Sequence, residues 1–416
     1  MACTGPSKLC ARICWWKQCT QIRKKISTTS SKCSDERTLS YFPKSNSTTI
    51  NSTSFRHRDL HSSNVADIAS RIRCYGTIGT PQTGPMPEYE YQPYKLLEDD
   101  LKDVYTYIRE ALRKNTYQDD LYEIATYYFD GHGKAIRPMV AILMARAINC
   151  HINKNSNFLL SAQREVGMIS EMIHTASLIH DDVIDQSDFR RGKPSVNVMW
   201  NQKKVTMAGD FILAVASMLI ARLRNNSVTL VLSQVVTDLV QGEFMQLGSK
   251  ETENERFAHY LTKTYRKTAS LIANSMKSVA ILAGADEELC NLSYQYGKNL
   301  GIGFQLVDDL LDFVSSSEAM GKPAAADLKL GLATAPVLFA CEKFPELNPM
   351  IMRRFQEPGD VQRAFELVHK SEGLEQTQFL AKQHCQEAAR LANSLTESPY
   401  QKGLIVTADF VLNRMK

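Results

Sequence analysis

The residues best suited to chemistry in this chain are six aspartates in two clusters that share the pattern D-D-x-x-D. The first cluster is Asp181, Asp182 and Asp185, and the second is Asp308, Asp309 and Asp312. Each cluster follows an apolar stretch of helical character, so its first and last carboxylates lie four residues apart on one helix face. Carboxylates held this close repel one another and are costly to bury, unless hard divalent cations lie among them.

A second copy of the pattern is what makes the signal specific. One acidic cluster alone is usually a solvated helix face. Mg²⁺ keeps several waters and shares its remaining coordination sites with substrate phosphates. Two acidic helix faces opposite each other would therefore bind a diphosphate through Mg²⁺.

Basic side chains accompany the aspartates at several points along the chain. They are Lys134 and Arg137, Arg190 and Arg191 after the first cluster, Lys267 with its neighbour Thr268 in mid-helix, and Lys322 after the second cluster. Residues 133–138 follow a turn and start a helix, whose positive end attracts anions. Each cation alone has an ordinary alternative as a solvated surface charge. Together with two metal-type clusters they predict two diphosphate pockets, one with metals and one with cations only.

The two pockets would treat their diphosphates differently. A metal-bound diphosphate is a good leaving group, because the cations stabilise the charge that develops as the C–O bond breaks. A diphosphate held by Lys and Arg alone stays attached and positions its alkyl chain. The predicted reaction is ionisation of one prenyl diphosphate and attack by the double bond of another.

The elements that must position these residues are helices. The chain has 416 residues, of which 44% are hydrophobic, enough for a large core. Apolar residues recur at helical spacing in two clear stripes, Leu97, Leu101, Val104, Ile108 and Leu112, and Val166, Ile169, Ile173, Ala176 and His180. No stretch is a convincing strand. We predict one all-α domain, a large helical bundle over residues 95–416 with the clusters facing a central cavity.

The N-terminal part has a different composition. The first 34 residues hold seven Lys or Arg and no acid, and Leu9, Ile13 and Trp16 recur beside them at helical spacing. This pattern, with the Ser and Thr that follow, is typical of a mitochondrial transit peptide, and a disordered tail is the alternative. We predict a leader over residues 1–80, a Pro-rich linker over 81–94 and a location on the matrix side of the mitochondrion.

Charge, cysteines and hydropathy exclude several other functions. The net charge is +4, and no basic patch with interleaved aromatics predicts nucleic-acid binding. Cys150, Cys290, Cys341 and Cys385, the cysteines beyond the leader, lack the spacing of zinc or redox sites. The longest apolar run, residues 211–221, is too short to cross a bilayer, which leaves peripheral membrane contact open.

From about Tyr127 onward the sequence resembles the trans-prenyltransferases, or trans-isoprenyl diphosphate synthases. Glu171, Met172, Ile173 and His174, leading into the first cluster, resemble the family's first aspartate-rich motif, and residues 301–312 resemble its second. The resemblance implies that Asp181, Asp185 and Asp308 are the main Mg²⁺ ligands, supported by Asp182, Asp309 and Asp312. It also implies an isopentenyl diphosphate site of Lys134, Arg137, His174 and Arg191. The implied contacts of the allylic diphosphate are Arg190, Lys267, Thr268, Gln305 and Lys322. His174 matches a family substrate position, whereas for His180 a hydrogen-bonded core role is the preferred interpretation.

The segment of residues 321–334 departs from the short-chain members of the family. Those carry a lysine two residues before the threonine that matches Thr334, and Leu332 occupies that place here. One allylic-phosphate contact is therefore in doubt, although Lys329 could substitute. The segment resembles that of mitochondrial long-chain polyprenyl synthases, which implies a farnesyl- or geranylgeranyl-type primer, a ubiquinone side chain as product and a second, divergent subunit.

Small residues before the first cluster bear on product length. Ala176 and Ser177 lie about one helical turn before Asp181, where short-chain relatives place an aromatic floor. We predict that they leave a path for a long prenyl chain, and close helix packing is the alternative.

A class I terpene cyclase and a non-catalytic subunit are the alternatives to a catalytic prenyltransferase. A class I terpene cyclase also uses D-D-x-x-D and Mg²⁺, but it should lack the isopentenyl site that Lys134, Arg137 and Arg191 predict. A non-catalytic subunit commonly loses aspartates from its clusters, and all six are present here.

Overall fold

The computed structural model of the chain describes residues 91–131, 133–153, 158–247, 255–314 and 325–415. The predicted leader, residues 81–90 of the predicted linker, and Lys322 lie outside the described residues. Within the described ranges nearly every element is a helix, so the predicted all-α class is confirmed.

The helices that lead to the end of the first aspartate cluster are α1 (Pro93–Leu96), α2 (Glu98–Leu101), α3 (Val104–Arg113), α4 (Asp119–Thr126), α5 (Ile136–Ile152) and α6 (Ser161–Ile184). Those between the clusters are α7 (Val196–Met199), α8 (Gln202–Arg222), α9 (Asn226–Leu247), α10 (Arg256–Thr264), a π-helix (Tyr265–Ala269), α11 (Ser270–Leu282) and α12 (Glu287–Val314). The remainder are α13 (Ala326–Lys329), α14 (Ala335–Lys343), α15 (Leu347–Met352), α16 (Asp360–Lys370), α17 (Gly373–Asn393), α18 (Pro399–Leu412) and a final 3-10 turn (Asn413–Met415).

A short hairpin departs from the expectation of no strand. Strands β1 (Phe189–Arg190) and β2 (Lys193–Pro194) pair antiparallel, with Arg190 opposite Lys193. Arg191 and Gly192, at φ 54° and 75°, form the tight turn between them. Two residues per strand are too few to leave an alternating pattern in the sequence.

Hydrophobic patterning explains the central helices. Residues 139–145 of α5 are apolar without interruption and all are buried, because this helix is covered on all sides. In α6 the stripe of Val166, Ile169, Ile173 and Ala176 is buried as predicted. The other predicted stripe is shared by two helices, since α2 ends at Leu101 and α3 starts at Val104.

The packing brings the two cluster-bearing helices to a common neighbour. Helix α6 packs against α5, α8 and α11, while α12 packs against α11 and α17. Two glycines let α12 closely approach α11 and the last residue of the π-helix before it. A Cβ on Gly297 would lie 2.7 Å from the Cα of Ala273, and one on Gly301 would lie 2.6 Å from the Cα of Ala269.

Helix α8 has the length and hydropathy of a possible membrane span, with a mean hydropathy of 1.6 over its most apolar window. In the fold 44% of that window is buried, and α8 packs against α6 and α4. Core helices of globular proteins share these properties, so length and composition alone do not place α8 in a membrane.

Candidate active site

The first aspartate cluster lies at the C-terminal end of α6. Asp185 is the C-cap, and its N–H donates to the carbonyl of Asp181 at 2.8 Å, which fixes both on successive turns of one face. Burial raises the pKa of Asp181 to about 6, and Lys267 opposes that shift. Burial also raises the pKa of Asp185. Two carboxylates are thus held together where their negative charge is poorly solvated, the condition that a cation would relieve.

Asp182 has different surroundings from its neighbours. Its side chain is fully buried and accepts from the hydroxyl of Tyr128 at 2.5 Å and from Arg190, whose Nη2 lies at 2.6 Å. The contact holds the Arg190 guanidinium beside the cluster. Asp182 and Arg190 therefore form a charge-assisted pair, and their predicted roles toward Mg²⁺ and the allylic diphosphate stay predictions.

The three aspartates of the second cluster, all on α12, differ in the same way. Asp308 is the most open, with 36% of its side chain exposed, and accepts from Arg414 at 2.8 Å. Asp309 is buried and accepts from Tyr260 at 2.5 Å and Gln305 at 2.9 Å; burial raises its pKa. Asp312 accepts from the backbone N–H groups of residues 326 and 327, at 3.0 and 3.1 Å, and so caps α13.

Lys267 and Thr268 lie in mid-helix as predicted, on the π-helical segment that joins α10 to α11. Lys267 Nζ is 2.7 Å from Glu243 and 3.9 Å from Asp181. Although burial opposes its charge, Asp181 and Glu243 together raise the pKa of Lys267. Thr268 donates to Gln305 at 2.8 Å, and Gln305 donates in turn to Asp309. This chain of contacts connects the π-helix to the second cluster. Short π-helical segments within α-helices are frequent at functional sites.

A second group of cations lies around the N-terminus of α5. Arg137 is in its first turn, and burial lowers the pKa of this guanidinium while Glu171 opposes the shift. Gly133 approaches Arg191 so closely that a Cβ there would lie 2.7 Å from the guanidinium. Burial, followed by the charges of Arg137 and Arg191, holds the pKa of His174 well below its usual value, so this imidazole is neutral at pH 7. Lys134 is exposed at the edge of the group.

The remaining predicted residues lie on α6 near this group. Ala176 is fully buried in the core cluster that includes Ala208 and Ile212 of α8. Ser177 is partly buried and donates to the carbonyl of His174 at 2.8 Å. His180 is 25% exposed and contacts the carbonyl of Thr206 at 3.2 Å and the carboxylate of Asp210 at 3.4 Å, so its core role stays a prediction.

The donors suit a hard divalent cation, although they do not form a preformed site. Within the described ranges no three Asp, Glu, His or Cys side chains converge on one point. Asp181, Asp185 and Asp308 instead present carboxylate oxygens, and the Oε1 atom of nearby Glu243 is buried without a partner. Such a set fits a cation that keeps waters and takes its other ligands from a diphosphate.

Several residues of the site were missed from the sequence. They are Tyr105, Tyr128, Glu171, Glu243, Tyr260, Lys263 and Arg414. Glu171 has a usable signal, since it belongs to residues 171–174, which resemble the family's first aspartate-rich motif. Arg414 is remote in sequence, and its guanidinium also lies 4.1 Å above the ring of Phe304.

Known proteins share both this sequence and this fold. The family model "Polyprenyl synthetase" matches residues 118–368. The protein "All trans-polyprenyl-diphosphate synthase PDSS1" of Homo sapiens is 56% identical over 78% of this chain and 77% of its own length. "Decaprenyl-diphosphate synthase subunit 1" of Schizosaccharomyces pombe is 41% identical over 77% of this chain and 91% of its own.

Solved structures agree with these relatives. A polyprenyl synthase from Caulobacter crescentus, complexed with calcium and isoprenyl diphosphate, aligns with a TM-score of 0.70 at 29% identity, over 79% of this chain and all of that one. A decaprenyl diphosphate synthase from Rhodobacter capsulatus aligns with a TM-score of 0.69, also at 29% identity, over 78% of this chain and 98% of that one. The family predicted from the aspartate motifs is confirmed: the chain belongs to the polyprenyl synthetase family and is a trans-prenyltransferase.

Proposed function

We propose that this chain is the catalytic subunit of a long-chain all-trans-polyprenyl diphosphate synthase, with octa- to decaprenyl products that serve as the ubiquinone side chain. The supporting observation is the pair of complete aspartate clusters on α6 and α12, with Lys267 beside the first and Arg137, Arg191 and His174 in a separate group. Relatives named for decaprenyl and hexaprenyl products support the long chain.

In this proposal the two groups of residues have separate tasks. Asp181, Asp185 and Asp308 would hold Mg²⁺, and the bound metal would stabilise the negative charge of the departing allylic diphosphate. Lys267 and Arg190 would contact the same diphosphate, which their places beside Asp181 and Asp182 support. Arg137, Arg191 and neutral His174 would bind the isopentenyl diphosphate, which keeps its own diphosphate because these residues hold it without a metal ion. The proton released in the condensation goes to the departing diphosphate.

Replacing one open carboxylate in each cluster tests this function. Asp181→Ala and Asp308→Ala should each lower turnover by about a hundredfold or more, the scale of losing one transition-state stabiliser. Asp99→Ala, an exposed aspartate on α2, is the matched control. The measurement is incorporation of labelled isopentenyl diphosphate by the full chain with its partner subunit at saturating Mg²⁺. Near wild-type turnover in either cluster variant would refute the catalytic proposal.

The choice of metal is tested in the same assay. Activity should vanish with a chelator and return best with Mg²⁺ rather than Ca²⁺, because Mg²⁺ demands compact octahedral geometry. Restoration by Ca²⁺ to an equal rate would contradict the Mg²⁺ assignment.

We also propose that the chain works with a second polyprenyl synthase subunit. Helices α8 and α9 expose large apolar side chains, of which Met207, Leu230 and Phe244 are 67%, 72% and 73% exposed. Apolar surface of this kind marks an interaction site. A membrane surface is the other occupant to be tested.

The cellular location proposed is the mitochondrial matrix. Its support is the basic, acid-free leader together with relatives named as mitochondrial. A reporter fused to residues 1–80 should enter the matrix, and Arg23→Glu with Lys24→Glu and Lys25→Glu should reduce import. A diffuse cytosolic signal from the unaltered fusion would contradict the assignment.

A further inference from the structure

A cavity of about 80 Å³ lies beside the second aspartate cluster, and its lining includes Leu332 and Lys263. This volume holds several water molecules. Arg256, His259, Tyr260 and Arg354 complete the part of the lining that matters here. Leu332 is the residue that replaces a lysine of the short-chain relatives. The cavity thus lacks a lysine at position 332 and has one at position 263.

Lys263 is close to the second cluster. It lies on α10 one turn before Lys267, and its Nζ is 5.6 Å from the ring centroid of Tyr260. The hydroxyl of Tyr260 donates to Asp309 at 2.5 Å. The ammonium of Lys263 therefore lies near the second aspartate cluster, on the cavity that Leu332 also lines.

The other cations of the cavity are committed to protein acceptors, and Lys263 is not. Arg256 donates to the side chain of Asn348 at 2.7 Å, and Arg354 donates to the carbonyl of Leu247 at 2.6 Å. Among the residues that the structure describes, no carboxylate lies within 4.0 Å of Lys263, whereas Lys267 has Glu243 at 2.7 Å. A partly buried ammonium without an oxygen acceptor is costly, so an anionic ligand is its natural partner.

We propose that Lys263 binds a phosphate oxygen of the metal-bound allylic diphosphate and so replaces the lysine that is absent at position 332. This inference rests on the proposed function and adds one residue to the allylic site. It also assigns the exposed Lys329, the substitute considered from the sequence, no such role.

The proposal is tested by removing the positive charge at position 263 and by moving it to position 332. Lys263→Met should raise the KM for farnesyl diphosphate about tenfold or more, the scale of one charge-assisted hydrogen bond. The Kd of farnesyl thiolodiphosphate, an unreactive analogue, should rise equally, while the KM for isopentenyl diphosphate stays within about twofold. The double variant Lys263→Met with Leu332→Lys should recover most of the lost affinity, because it returns a cation to the same cavity.

The matched control is Lys277→Met. Lys277 is a partly buried lysine of α11, and its Nζ lies 5.8 Å from the ring centroid of Tyr294 on α12. It should leave both affinities unchanged. A structural role for Lys263 would lower the melting temperature of Lys263→Met without ligand, whereas loss of an unpaired buried charge should not. The proposal is overturned by unchanged analogue binding in Lys263→Met, by an equal loss for both substrates, or by no recovery in the double variant. An inactive wild-type chain, assembled with its partner subunit at saturating Mg²⁺, would instead refute the proposed function.

Discussion

Glu171 is a buried carboxylate whose charge offsets that of the cations around it. It is 2% exposed, accepts from Tyr105 at 3.2 Å, and acts against the pKa-lowering effect of burial on Arg137. Loss of this negative charge would leave the buried Arg137 guanidinium less compensated. Glu171→Gln should therefore lower the melting temperature by several degrees.

An added anion distinguishes this explanation from simple loss of packing. Inorganic diphosphate bound by Arg137 would supply the missing negative charge, so it should raise the melting temperature of Glu171→Gln more than that of the wild type. Glu165→Gln, on the same helix, is the control. Equal shifts in all three proteins would show that Glu171 does not balance the cations.

The stability of the protein should also depend on pH through a residue far from the site. His384 donates from Nδ1 to Asn299 at 2.8 Å, and burial, with Lys298 adding to it, lowers its pKa to about 4. Between pH 6.5 and 4 the unfolded chain binds a proton that the folded chain does not. Stability present above pH 6.5 is thus lost as the pH falls, by up to about 3 kcal/mol. Urea midpoints at pH 7.5 and 5 should differ less in His384→Gln than in the wild type; an equal pH dependence would contradict this assignment.

At the scale of elements, the sequence predicted helices well because their apolar stripes are long. It identified all six aspartates, and the family resemblance separated three main Mg²⁺ ligands from three supporting ones, but the sequence could not give the contacts of each carboxylate. The carboxylate of Asp182 accepts hydrogen bonds from Tyr128 and Arg190. The carboxylate of Asp312 accepts from the backbone at the N-terminus of α13. These partners lie on other segments of the chain, and the sequence pattern around the aspartates does not indicate them. The π-helix could not be predicted either, since one extra residue in a turn leaves the surrounding apolar periodicity nearly unchanged.

The face of α6 before the first cluster is where product length is expected to be set. Ala176→Phe should shorten the products from eight to ten prenyl units to three or four, because a ring there blocks the growing chain. The side chain of Ala176 is fully buried, so overpacking could cost about 1–3 kcal/mol. Ser177→Phe, at a partly exposed position, is therefore the second variant, and chromatography of the dephosphorylated products is the measurement. Unchanged lengths in both soluble, active variants would place the length-setting wall elsewhere.

At the scale of the whole molecule, the apolar surface of α8 and α9 should govern assembly. Leu230→Asp and Phe244→Asp should abolish co-purification with the second subunit, since a charge at the centre of an apolar interface cannot be solvated. Phe158→Asp changes an equally large side chain that is 66% exposed elsewhere, and it should leave assembly intact. Retained co-purification together with lost vesicle binding would assign this surface to a membrane instead.

The close seam between α11 and α12 makes the second cluster mechanically sensitive. Gly301 lies seven residues before Asp308 on α12, a distance of about 10 Å along the axis. A methyl group at Gly301 or Gly297 would clash with the backbone of Ala269 or Ala273 and push α12 away from it. A tilt of α12 at these glycines would move the carboxylates of the second cluster, which lie further along the same helix. The space available to the diphosphate beside the second cluster should therefore depend on two residues without any functional group.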